Sequence, residues 1–157
     1  MKKWQVFLFI LFLLGSVKVG LGEDFPSPEG KALWQYITRV SPYKNWSFWP
    51  NHQGLQPGKA PHGPLHKVFV NSRGIESKKA PVLDRTIVVK ENYGKDKQLK
   101  AITVMYKVKG YAPQSGDWFW VKYSPQGKID KEGKVKGCIG CHQIHKYNDY
   151  IFLHQFK

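Results

Sequence analysis

The chain has 157 residues, 15% of them aromatic, and carries 25 Lys and Arg against 11 Asp and Glu for a formal net charge of +14. That length suffices for one domain with its own core, and no apolar run long enough to span a bilayer follows the first residues. The basic residues are scattered among aromatics and turns, with no basic helix or known nucleic-acid module, so the charge is read as solubility or as a match for acidic partners and anionic surfaces, not as nucleic-acid binding.

In chain order, Lys2 and Lys3 precede an apolar stretch from Trp4 to Leu14, and small residues end in Gly20-Leu21-Gly22. This has the form of a cleaved secretory signal over residues 1–22, which predicts export to the periplasm and a mature domain over 23–157. Its alternative is an uncleaved N-terminal anchor, which the short apolar run disfavours. Removing the segment takes away Lys2, Lys3 and Lys18 and no acid, so the mature charge is 14 − 3 = +11.

Ser27-Pro28-Glu29 has the composition of a helix start, and Leu33, Tyr36, Ile37 and Val40 give the predicted helix one apolar face. Residues 42–64 are rich in Pro, Gly and aromatics, which predicts an ordered loop with its rings packed. Four strands are expected next: His66–Val70, Thr86–Glu91, Ala101–Val108 and Asp117–Tyr123. Gly-rich turns and close spacing imply antiparallel pairing. The predicted fold is one α+β domain: an N-terminal helix, a mainly antiparallel sheet of about four or five strands, and a short C-terminal segment.

That segment contains Cys138-Ile139-Gly140-Cys141-His142, the Cys-x-x-Cys-His pattern of c-type haem attachment. Two thiols add to the haem vinyl groups and the adjacent imidazole ligates the iron, so one turn of chain delivers all three groups. Two readings compete. A thioredoxin-like dithiol wants a strand and helix around the pair within an alternating α/β pattern, and structural zinc wants four ligands; neither context is evident. The attachment site lies near the C-terminus, and Met105, the sole methionine beyond the leader, sits in the longest strand. Core packing explains Met105 best, so His/Met axial ligation is not expected, while a histidine on the far face stays open.

The order and spacing of these elements resemble the cytochrome P-460 family, which includes the cytochromes c′-beta. The resemblance is carried by His66-Lys67-Val68-Phe69-Val70-Asn71, Ile87-Val88-Val89-Lys90-Glu91-Asn92-Tyr93, Thr103–Val108, Asp117-Trp118-Phe119-Trp120 and the haem motif. It implies a largely antiparallel fold, commonly a homodimer, with a single haem c, His142 as proximal metal ligand and an open distal side. In the P-460 enzymes, which oxidise hydroxylamine, a strand lysine is also bonded to the macrocycle. Lys90 is the matching position here. A plain solvent-facing or salt-bridged lysine is the alternative.

Two departures bear on activity. The distal arginine of the enzymes aligns with His66, and their distal carboxylate aligns at or near Met105. His66 and His62 are then the candidate catalytic bases, each set against the reading of an ordinary hydrogen-bonded histidine. His145 and His154 are read as surface or haem-edge residues, and Trp118, Phe119 and Trp120 as pocket wall or core. Three functions follow: hydroxylamine oxidation, nitric oxide binding of the c′-beta kind without turnover, and electron transfer with an acidic redox protein.

Overall fold

The computed structural model describes residues 24–156, so the expected leader over 1–22 lies outside the described residues. Six strands form one antiparallel sheet whose spatial order is their chain order: β1 (Gln56–Pro57), β2 (Leu65–Val70), β3 (Ile87–Tyr93), β4 (Leu99–Lys107), β5 (Trp118–Tyr123) and β6 (Ile129–Gly133). Helix α1 (Gly30–Gln35) precedes the sheet, α2 (Ser72–Glu76) lies between β2 and β3, and α3 (Lys136–His142) follows β6. The class is α+β, with a longer sheet than the sequence suggests. The two extra strands are edge strands. One is a two-residue pairing that includes a proline, and the other is Ile-Asp-Lys-Glu-Gly, whose polar residues give no strand signal.

Alternation along each strand gives the sheet two unlike faces. Phe69, Val89, Ile102, Val104, Tyr106, Phe119, Val121 and Tyr123 line one face and pack against Leu33, Tyr36, Ile37 and Tyr43. Val68, Val70, Val88, Trp118 and Trp120 line the other and pack against Trp49, Tyr150 and Ile151, with Val135, Cys138 and Ile139 at the margin. The N-terminal helix therefore closes one side and the C-terminal cysteine segment the other.

The helix itself departs from expectation at both ends. Glu29 rather than Ser27 is its N-cap and makes no side-chain capping bond. Its continuation over Tyr36–Val40 is a π-helical turn, which swings Val40 to 72% exposure while Leu33, Tyr36 and Ile37 stay buried. The aromatic loop is ordered as predicted: Tyr43 and Trp49 are buried, and Trp46 and Phe48 pack against the first core.

Candidate functional site

Helix α3 carries both cysteines and His142, so the three motif side chains leave one short helix on the side of the sheet that holds Trp118 and Trp120. Both thiols are free; Cys138 is half-buried, where burial pushes its pKa up, and Cys141 is exposed. His142 Nδ1 lies 2.8 Å from the Tyr150 carbonyl. A carbonyl only accepts, so Nδ1 carries the proton and Nε2 keeps its lone pair for a metal. Trp120 and Phe152 pack edge-on against the ring, at 4.7 and 4.9 Å between centroids.

The Tyr150 carbonyl is placed by an unusual turn. Asp149 and Tyr150 are both left-handed, with φ of 52° and 66°. The strain is held by burial. The Asp149 carboxylate takes two bonds from Lys107 Nζ, at 2.6 and 2.7 Å, and one from the Val82 N–H at 2.9 Å, while its carbonyl accepts from Trp118 Nε1 at 2.9 Å. Asn148 ties the following chain by donating to the carbonyls of Ile151 and His154. A buried ion pair thus fixes the turn that orients His142.

Cross-strand register decides which side of the sheet each candidate occupies. One row runs Val68, Lys90, Thr103, Lys122; the row on one side is His66, Asn92, Ala101, and on the other Val70, Val88, Met105, Trp120. All of these share the face on which α3 packs. Lys90 therefore points under the C-terminal segment instead of outward, and burial pulls its pKa down to about 8. Neighbouring Glu91 points the opposite way. It is fully buried in the other core, where Tyr43, Tyr93 and Lys44 donate to its carboxylate.

The loop before β2 folds over the same face and brings histidines with it. His66 is 2% exposed, and its Nε2 lies 2.7 Å from Nε2 of His52, with the two rings stacked. The His62 ring stands 6.2 Å from that of His142, nearly perpendicular to it. Glycines permit this closeness. Gly63, at φ +89°, lies so near β3 that a Cβ would sit 2.9 Å from the Tyr93 carbonyl, and a side chain at Gly58 would strike the Gly63 carbonyl. Burial, then the charge of Lys90, lowers His62 and His66 to about 4, and the same two causes lower His52. In His142 burial lowers the pKa, with Lys90 and His145 adding to it against the Tyr150 hydrogen bond.

The expected site residues Cys138, Cys141, His142, Lys90, His66 and His62 thus come together on one side of the sheet. His52 was not foreseen: it lies in a loop without periodicity, and only the β1–β2 pairing of Gln56 with His66 draws that loop over the strand. His154 stacks on Trp49 and His145 packs against Phe152, at the margin of the site. Trp118 and Trp120 face the site, whereas Phe119 belongs to the opposite core. Met105 is only partly buried, in register with Val88 and Trp120.

These residues fit a haem c on an independent ground. Among the described residues, the buried side-chain polar atoms without a partner are Trp49 Nε1, Trp120 Nε1, His66 Nδ1 and Asn92 Oδ1, all on or beside the face that α3 covers. Native proteins leave few such atoms, and their gathering in one place marks a site completed by a polar group. Two free thiols, one imidazole with a free Nε2 and a wall of indoles make up the donor set of an attached haem. Clefts of about 400 and 320 Å³ open elsewhere, beside Trp46 and beside Trp34, and hold none of this chemistry.

A sequence model of the family described as Cytochrome P460 matches residues 40–153, a span that takes in all six strands and α3. No curated protein matches the chain.

Proposed function

Since the chain belongs to the cytochrome P460 family and is a c-type haem cytochrome of that type, we propose that it binds small nitrogen species at the face bearing Lys90 and His66 and oxidises hydroxylamine there. The observation that carries this reading is the placement of Lys90, a half-buried amine with a pKa of about 8, between the histidine row and the Trp120 row under the haem motif. Cys138 and Cys141 would hold a single haem c, His142 would ligate its iron through Nε2, and Lys90, on the same face, is the lysine that would be bonded to its edge in a P-460-type enzyme. When bound, the haem would supply an iron able to bind the substrate nitrogen and take up its electrons, for onward transfer to an acidic redox protein. The protein works in the periplasm as a homodimer, with the leader over 1–22 removed.

The protons are the protein's part. Hydroxylamine oxidation releases them, and a base positioned at the site must take them. His66 can accept one at Nδ1 and release another from Nε2 to His52, 2.7 Å away, whose half-exposed ring returns it to solvent. A pKa of about 4 makes His66 a conduit that does not store the proton. The charge of Lys90, after burial, contributes to that low value.

Tryptic mapping of the haem peptide, with hydroxylamine turnover of the wild type and of His66→Leu, tests the proposal. The expected result is Lys90 on the haem peptide and turnover lowered on the order of 100-fold in the variant. Recovery of Lys90 in an unmodified peptide, together with no turnover in the wild type, overturns it.

One observation favours the second reading, nitric oxide binding without turnover. The sheet residues around Lys90, namely Val68, Asn92, Thr103 and Met105, include no carboxylate, and Glu91 faces away. Tight nitric oxide binding with no hydroxylamine-dependent electron release would select it.

A further inference from the structure

We infer that the surface formed by Ile144 and Tyr147, beside the cysteine helix and accompanied by Lys136 and Lys146, is the docking face for the acidic redox protein that takes electrons from the site. The inference rests on the proposed function for the electrons themselves and adds where they leave.

The first observation is an apolar cluster that the fold leaves uncovered. Six large apolar side chains are exposed among the described residues, and three of them, Ile144, Tyr147 and Phe152, fall within one short stretch after α3. Ile144 and Tyr147 lie on the 3-10 turn Gln143–Asn148 and are 66% and 68% exposed. An apolar and aromatic centre with charges at its rim has the make-up of a protein interface.

The second observation is charge. Between Lys134 and Phe156 the only acid is Asp149, which is buried and paired with Lys107. Lys134, Lys136 and Lys146 are exposed in the same stretch and form no ion pair among the described residues. Lys131 pairs in register with Lys122, and the charges of both reach the Cys138 thiol. Of these two, Lys122 is partly occupied by Asp130, 3.5 Å away. The surroundings of the patch are thus cationic, and an acidic partner is their complement.

The third observation is continuity with the haem motif. Tyr147 Oη lies 3.1 Å from His145 Nδ1. The His145 ring is 4.1 Å from that of Phe152, which in turn packs 4.9 Å from that of His142. Packed rings therefore join the exposed Tyr147 to the imidazole of the motif, and electron transfer favours atoms in contact over empty space. Each encounter moves one electron: the partner's oxidised centre is reduced as the haem iron goes from ferrous to ferric, and no proton or group is exchanged. Lys31 and Arg39, on the N-terminal helix across the sheet, are also exposed cations but have no such chain of rings beside them.

The experiment is stopped-flow oxidation of the dithionite-reduced holoprotein by an acidic blue-copper protein, from low to high salt. Calorimetric titration of the two oxidised proteins gives a redox-silent measure of binding. Dithionite makes the result independent of hydroxylamine. Lys136→Glu with Lys146→Glu is expected to slow the second-order rate about tenfold or more at low salt, and to leave it near wild type at high salt, where steering is screened. Lys31→Glu with Arg39→Glu makes the same change of net charge on the opposite side of the sheet and is expected to change the rate far less. Tyr147→Ser is expected to weaken binding about tenfold or more at any salt. Equal slowing by the two charge-reversed proteins, a rate indifferent to salt, or Tyr147→Ser binding like the wild type overturns the inference. So does a wild-type dimer that Tyr147→Ser dissociates in sedimentation, which would assign the face to a second copy. Binding to phosphatidylglycerol vesicles that needs Lys136 and Lys146, when binding of the copper protein does not, would assign the face to a membrane and also overturns it. The expected docking with no electrons from hydroxylamine upholds this face and overturns the proposed function. Hydroxylamine turnover with ferricyanide, together with equal slowing by the two charge reversals, upholds the function and overturns the docking face.

Discussion

Lys107→Met probes the link between the buried ion pair and His142. Its amine is paired to Asp149 with side-chain exposures of only 9% and 4%, so the substitution leaves a buried carboxylate without its counter-charge. Breaking one side of such a pair costs about 3–5 kcal/mol. For a domain of about 130 residues the unfolding entropy is near 0.3 kcal/mol/K, so the melting temperature should fall by about 10–17 °C. Lys107→Met with Asp149→Asn removes both charges, keeps an acceptor for the Val82 N–H and should recover most of the loss. The assay is thermal unfolding of the four proteins of the cycle, read by circular dichroism beside the haem spectrum. The spectrum matters because Asp149 precedes the carbonyl that orients His142, so the single variant should also weaken the proximal field. A single variant within 1 kcal/mol of wild type, or a double variant no better than the single, refutes the reasoning.

Three further outcomes are expected. Lys90→Met should stabilise the haem-free protein at pH 7 by up to about 3 kcal/mol; the lysine's folded value of about 8 lies below its ordinary 10.5, so wild-type stability rises with pH across that window and the variant's does not. Denaturant melts at pH 7 and pH 10 check it. His66 is held near 4 against an ordinary 6.5, so the native state takes up fewer protons in that range and loses about 3 kcal/mol as pH falls from 6.5 to 4; His66→Leu should flatten that part of the stability curve. Glu91→Leu strands the Tyr43 and Tyr93 hydroxyls and Lys44 and should cost about 2–5 kcal/mol, yet leave the haem spectrum unchanged because Glu91 faces the other core. A spectral change would show that the two faces are coupled.

Particular residues explain why some of this was readable and some was not. Ile87–Glu91 and Ala101–Lys107 announce themselves by β-branched runs, and alternation alone puts Lys90 and Glu91 on opposite faces; it cannot say which face the cofactor takes. Which of them shares a face with the cysteine motif depends on where α3 packs beside Trp120, far along the chain. Edge strands β1 and β6 escape because pairing with one neighbour needs few apolar side chains. Val40 continues the helical period in sequence, but a wider turn carries it out to solvent. His52 and the Lys107–Asp149 pair are products of tertiary folding. Nothing local in Pro50-Asn51-His52 or Tyr147-Asn148-Asp149 distinguishes them.

The matching of strand order to chain order has a consequence for assembly. Each strand pairs with the segment made just before it, so the sheet grows by short loop closures at low entropic cost and needs no crossover. The cysteine helix is the last α-helix among the described residues, and Cys141 remains exposed on it. The sheet face can therefore be complete while Cys141 is still reachable from outside, Cys138 being half-buried against it. The chain order thus puts the cysteine motif after every strand of the sheet it packs against.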